Sequence, residues 1–254
     1  VLSVRPDGVL LAGADRAGVL RGAWTLAQLL EAEGGRALPG VTVRDWPRYA
    51  FRGAHVYMPG RSQLGFFEQF LDFLARYKYN VLIIEVGGGM AYERHPEINE
   101  AWRRFCREAD NYDPRLDPGC ERFKQRHPRG ANALSNSRWF WKDSTHTELG
   151  GGDCLTKDEV RGILAACRAR AIEVVPEVQS LSHAYYLCCA HPEIAERDDD
   201  PWPDTYCPSN PKSYELLFDV MDEVIEVFRP GIVHIGHDEI YHIGVCPRCR
   251  RHSG

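Results

Sequence analysis

The stretch Gly231-Ile232-Val233-His234-Ile235-Gly236-His237-Asp238-Glu239 decides how this chain is read. It opens with an apolar run of strand length, and two adjacent carboxylates follow almost at once. A polar pair at the carboxyl end of a parallel strand is where α/β enzymes hold their chemistry. Consecutive side chains near a strand end diverge, so Asp238 and Glu239 can serve separate roles around one substrate. The expectation is a buried strand presenting a catalytic pair.

Working outward, further apolar runs at 51–57, 80–86 and 172–178 read as strands of the same kind. Between the first two, Phe67, Phe70, Leu71 and Leu74 fall at helical spacing. Before the third, Thr156 and Glu159 form a capping box ahead of the stripe Val160, Ile163, Leu164 and Cys167. Before the fourth, Asn210-Pro211 opens a helix carrying Tyr214, Leu217, Phe218, Met221, Ile225 and Phe228. Strand–helix alternation of this kind predicts a parallel α/β sheet.

Residues 1–48 stand apart. Two short strands flank the turn Pro6-Asp7-Gly8, and a helix from about Asp15 carries Val19, Ala23, Leu26 and Leu30 on one face before Gly34-Gly35. A long insertion at 87–155, with a helix near 98–108 and the cluster Trp139-Phe140-Trp141, separates the second strand from the third. A complete (β/α)₈ barrel needs eight strands in roughly 250 residues. About four βα units are visible, so the expected architecture is a partial barrel over 49–254 after the end of a small α/β domain. The chain begins and ends inside these patterns, which reads as a piece of a longer protein.

Composition narrows the function. The 254 residues carry 31 basic against 36 acidic side chains, a net charge of -5, with no basic stripe, so a nucleic-acid partner is not expected. No apolar run is long enough to span a membrane. Nine cysteines with an adjacent pair, Cys188-Cys189, and no Asn-x-Ser/Thr sequon favour a reducing, cytoplasmic setting, with secretion open. Cys246-Pro247-Arg248-Cys249 supplies two of the four ligands a structural metal needs, and Cys207 could add a third. No second CxxC exists, and neither a metal nor a cofactor is expected.

Several stretches together resemble glycoside hydrolase family 20, the β-N-acetylhexosaminidases. Gly22-Ala23-Trp24-Thr25-Leu26-Ala27-Gln28-Leu29-Leu30 is similar to the end of that family's small domain. Asp45-Trp46-Pro47-Arg48-Tyr49-Ala50-Phe51-Arg52-Gly53 resembles its entry into the first barrel strand, and Lys78-Tyr79-Asn80-Val81-Leu82 the start of the second. Val175-Pro176-Glu177-Val178 resembles the end of the third, with His183 just beyond it. His234-Ile235-Gly236-His237-Asp238-Glu239 resembles the family's His-Ile-Gly-Gly-Asp-Glu.

The resemblance implies a hydrolase of carbohydrate substrates, terminal β-linked N-acetylhexosaminides, acting without a cofactor. Glu239 would be the general acid/base, and Asp238 would orient the substrate's 2-acetamido group, whose carbonyl oxygen is the nucleophile. Arg52 would bind sugar hydroxyls, and His183 would act beside Glu239. Glu85 stands where the family has a histidine, Tyr57 and Gln179 where it has carboxylates, and His237 where it has glycine. These changes alter the wall of the sugar-binding subsite. Glu85 and Glu177 remain candidates for substrate contact. Two alternatives stay open: a conventional retaining glycosidase using Glu177 and Glu239, and an inactive barrel that only binds carbohydrate. The exact sugar and the oligomeric state are not legible.

Overall fold

Strands and helices alternate where the sequence pattern alternates. The computed structural model describes residues 1–111, 152–198, 200, 202–240 and 242–251. It resolves into two compact units, one of Val1–His55, Leu64–Ile83 and Gly162–Val174, the other of Val56–Gln63, Ile84–Arg161 and Val175–Gly254.

In the first unit, β1 (Leu2–Arg5), β2 (Gly8–Leu11) and β3 (Val41–Val43) form an antiparallel sheet in the order β2-β1-β3. Leu2 lies opposite both Leu11 and Val43, and Leu2 and Val4 are buried. Helix α1 (Arg16–Ala32) starts where Asp15 Oδ1 accepts from Gly18 N at 2.6 Å. It stops at Gly34 and Gly35, both in left-handed backbone, with Gly35 N donating to Leu30 O at 2.8 Å. Its apolar stripe is less sheltered than expected: no α1 residue is fully buried, and Val19 and Leu30 are exposed. Helix α2 (Leu64–Arg76) buries Phe67, Leu71, Leu74 and Ala75. Gln28 Nε2 donates to Arg76 O at 3.0 Å, which ties α1 to the end of α2.

The larger sheet has the order β4-β5-β6-β7, with β4 Gly53–Tyr57, β5 Val81–Glu85, β6 Glu173–Ser180 and β7 His234–Gly236. Its ladder bonds ascend together, Asn80 N to Arg52 O and Met58 N to Glu85 O, then Glu173 N to Asn80 O and Val86 N to Glu177 O, so these strands run parallel. β6 and β7 pair in parallel as well, with a register shift between Glu177 and Ser180. Central β5 is buried as predicted for a parallel strand. β7 is not. Ile232 and Ile235 are 66% and 45% exposed, because β7 ends the sheet order and has β6 as its one described neighbour.

In the second unit the long insertion leaves and returns through one point. Leu155 N donates to Gly89 O and Ala91 N to Leu155 O, each at 2.8 Å. Helix α3 (Pro96–Asn111) stacks Phe105 on Tyr185 of the short helix α5 (Tyr185–Cys188), with ring centroids 4.6 Å apart. The Trp139-Phe140-Trp141 cluster lies outside the described residues. The capping box before α4 (Lys157–Ala169) is formed reciprocally, Thr156 N to Glu159 Oε2 and Glu159 N to Thr156 Oγ1.

Helix α6 (Pro211–Phe228) buries Leu217 and Phe228 but not every apolar residue it carries. Leu216, Leu217, Val220, Glu223, Val224, Val227 and Phe228 turn inward, while Tyr214, Phe218 and Ile225 are exposed. The helix is apolar around most of its circumference, and Glu223 decides the face. Its carboxylate accepts from Glu93 N and Arg94 N at 2.9 Å each and meets Lys157 Nζ at 2.7 Å.

Candidate functional site

The excursions that leave β6 and β7 bring three titratable side chains together. After β6 the chain turns through Leu181 and His183, at φ of 69° and 47°. At the end of β7, Gly236, His237 and Glu239 take φ of 70°, 77° and 47°. Left-handed backbone in a non-glycine residue costs about 1–3 kcal/mol and persists only where its surroundings fix it. Here they do. Ser180 Oγ donates to Ile235 O at 2.7 Å, and Ser182 Oγ donates to the Asp238 carbonyl. Tyr206 N holds Leu181 O at 3.0 Å, and Ala184 N holds Asp204 O at 2.8 Å.

Within this frame His183 Nε2 lies 3.2 Å from Glu239 Oε2 and 3.7 Å from Asp238 Oδ2. The imidazole is fully buried, whereas the Asp238 and Glu239 side chains are 59% and 48% exposed. A buried base thus sits beneath two carboxylates that face solvent. Such an arrangement sets an imidazole nitrogen within hydrogen-bond reach of one carboxylate while both carboxylates stay open to a ligand.

The residues below are packed tightly. Glu177 Oε1 lies 2.9 Å from Nδ1 of His234, its register partner on β7. Glu85 is buried, with Gln179 Nε2 at 3.5 Å from its Oε2, and a Glu85 oxygen comes within 4.8 Å of one from Glu177. Gly236 admits no side chain, since a Cβ there would stand 1.8 Å from Gln179 Oε1. Glycine is required at the base of the acidic pair for both space and backbone conformation.

Arg52 is tied to the backbone around it. It precedes the first residue of β4, at the amino end of that strand, and its guanidinium donates to Lys78 O at 2.8 Å, Tyr49 O at 2.6 Å and Ala50 O at 3.3 Å. Three backbone carbonyls take its Nε and Nη1 donors, so Arg52 braces the strand's entry through that side of the guanidinium. Beyond the carboxyl end of β4 stands Arg61, held by Asp153 at 3.1 Å and by both oxygens of Glu159. Its guanidinium draws the Glu159 carboxyl down to about 2.

Sequence reasoning overlooked His234 and Ser182. His234 could have been found from strand alternation, which puts it and Gly236 on one face. Ser182 acts through its hydroxyl on a backbone carbonyl and left no signal.

The model of the glycosyl hydrolase family 20 catalytic domain matches residues 49–252, and that of the family's domain 2 matches residues 1–46. A β-hexosaminidase of Akkermansia muciniphila is 28% identical over 98% of this chain and 47% of its own length. One from Vibrio furnissii is 26% identical over 94% of this chain and 37% of its own. The chain therefore spans less than half the length of these relatives. Among solved structures, a β-N-acetylhexosaminidase from Bacteroides fragilis superposes with a TM-score of 0.71 at 20% identity, over 99% of this chain and 44% of that one. With four-fifths of its residues matched by the catalytic-domain model, the chain belongs to glycosyl hydrolase family 20.

Proposed function

We propose that this chain forms part of a glycosidase that releases a terminal β-linked N-acetylhexosamine with retention, by substrate-assisted catalysis. One observation carries the reading: a buried histidine, His183, lies within 3.2 Å of Glu239 and 3.7 Å of Asp238, at the carboxyl rim of a parallel sheet. The acetamido carbonyl oxygen attacks the anomeric carbon, and the bond from that carbon to the leaving oxygen breaks. Glu239 gives its proton to the leaving oxygen. Positive charge gathers on the oxazolinium ring, and ionised Asp238 beside the amide N–H stabilises it most where it is largest, in the transition state. Water then gives a proton to Glu239 and opens the ring at the same carbon, restoring the acetamide. His183 holds the Glu239 carboxyl in place through both steps.

The same reading makes residues 49–254 about four βα units of a (β/α)₈ barrel and residues 1–48 the end of an accessory α/β domain. Consecutive strand order and the apolar edge at Ile232 and Ile235 support it. Glu177, buried against His234, is poorly placed as a nucleophile, which favours the assisted route over a conventional carboxylate pair.

The test uses the chain within its full-length protein. Asp238→Asn and Glu239→Gln should each lower kcat by about 10²–10⁴-fold with the fold intact by circular dichroism. Matched chromogenic substrates with and without the 2-acetamido group complete it, because only the assisted route requires the amide. Comparable turnover of both substrates, or near-normal rates in both variants, would overturn the proposal.

A further inference from the structure

The excursions after β6 and β7 meet at a second place, away from the acidic pair. Glu196 Oε1 accepts from Val245 N at 2.5 Å and Cys246 N at 3.0 Å. Its other oxygen, Oε2, lies 3.4 Å from Cys249 Sγ. Cys207 Sγ is 3.4 Å from both Cys246 Sγ and Cys249 Sγ. One ligand atom from each of the four residues falls within 4.8 Å of all the others. Glu196, Cys207 and Cys249 are almost fully buried, and Cys246 is half-buried.

From these observations we propose that Glu196, Cys207, Cys246 and Cys249 bind one zinc ion in a closed, structural site. Three thiols and a carboxylate converging in a buried space have no packing rationale of their own, since apolar side chains would fill it at lower cost. Tetrahedral zinc with Zn–S bonds of about 2.3 Å requires S–S edges near 3.8 Å, a few tenths of an ångström beyond the separations here. Cys207 stands equally close to two thiols, a symmetry that a single disulfide does not explain. Cys246 also accepts from Cys249 N at 3.3 Å, as in a metal knuckle where one backbone amide steadies the first thiolate.

The donor set selects the ion. Sulfur-rich ligation with one carboxylate suits a borderline-soft tetrahedral dication and not calcium or magnesium, which take oxygen. Four protein ligands leave no open position, so the ion fastens chain segments and does not activate water. On this proposal the pair Cys246 and Cys249 needs no second CxxC to complete the site. The remaining ligands come singly, Glu196 from the turn after Pro192–Ile194 and Cys207 from the position after Tyr206, as Ala195 and Tyr206 form an antiparallel bridge beside them.

The experiment is elemental analysis of the full chain, expressed with supplemented zinc and passed over a chelating resin. About one zinc per chain is expected. Exchange into cobalt should give tetrahedral ligand-field bands together with thiolate charge-transfer absorption. Cys207→Ser should lose the metal, while Cys189→Ser, outside the cluster, should keep it. Glu196→Gln should release zinc to a chromophoric chelator faster, by at least about tenfold, the lower end of what even an outer partner contributes. The proposal falls if the wild-type chain retains no stoichiometric zinc and shows no cobalt spectrum. It falls equally if non-reducing peptide mapping finds Cys207 in a disulfide. Because both readouts are made on the wild-type chain, a variant that fails to fold does not blur the result.

Discussion

Gly236→Ala is the substitution whose consequence the structure determines most directly. Three terms compete. Left-handed backbone at φ 70° costs an alanine about 1–2 kcal/mol. Loss of unfolded-chain freedom returns about 0.4–1 kcal/mol in the variant's favour. The new methyl would stand 1.8 Å from Gln179 Oε1, 2.7 Å from its Cδ and 3.3 Å from its Cα. Gln179 is buried beside Glu85 and cannot swing into solvent, so relief must come from the packing around it, at about 1–3 kcal/mol. The steric term is the largest, and the net destabilisation comes to about 1–5 kcal/mol. Urea unfolding should show it as a lower midpoint with an unchanged slope. The decisive measurement is the cycle with Gln179→Ala, which removes the obstructing amide but leaves the backbone cost. The two substitutions should compensate each other by about 1–3 kcal/mol. A Gly236→Ala variant within about 0.5 kcal/mol of wild type, or a cycle without coupling, would refute the reasoning.

Three further outcomes follow from named contacts. His183→Asn should lower kcat on an N-acetylhexosaminide about 10–100-fold with KM little changed, since it frees the Glu239 carboxyl without removing it; an unchanged kcat would count against the role given to His183. Glu159, held down to about 2 by Arg61, contributes stability that is complete above its ordinary value of 4.5 and lost as pH falls through 2, so unfolding of wild type and Glu159→Gln across that window should converge toward the acid end; a constant difference would contradict the pairing. Glu223→Ala leaves Lys157 with exposed Glu93 as its ion-pair partner at 3.1 Å and takes the acceptor from two backbone amides, so it should cost about 1–3 kcal/mol in urea unfolding, whereas a loss below about 0.5 kcal/mol would show that Glu223 is dispensable.

What the sequence disclosed and withheld divides along a physical line. Signals contained within a few residues were legible: the capping box at Thr156 and Glu159, the Asn210-Pro211 start, the Gly34-Gly35 stop and the apolar runs of the larger sheet. Each depends on local backbone chemistry. Questions decided by distant neighbours were not. Whether β7 is buried depends on its place in the strand order, which an apolar run alone does not encode. Which face of α6 turns inward depended on Lys157 and the amides of Glu93 and Arg94, all remote in sequence. Arg52 occupies a position that reads as functional, yet the carbonyls of Tyr49, Ala50 and Lys78 converge on it.

The acidic pair itself illustrates why local legibility was enough to find the candidate site and too little to explain it. Asp238-Glu239 announces itself by composition, but its geometry is imposed from the β6 side. Ser182 bonds the Asp238 carbonyl, His183 meets the Glu239 carboxyl, and Glu196 collects the amides of Val245 and Cys246 further along. Arg197 Nη1 adds a contact to His242 Nε2 at 3.2 Å between those points. The β7 excursion is therefore gripped on both sides of the carboxylates, and that double grip lets Glu239 hold a left-handed backbone that glycine would otherwise supply. Loosening either end should let Glu239 relax away from His183, so residues far from any sugar share control of the geometry proposed for proton transfer.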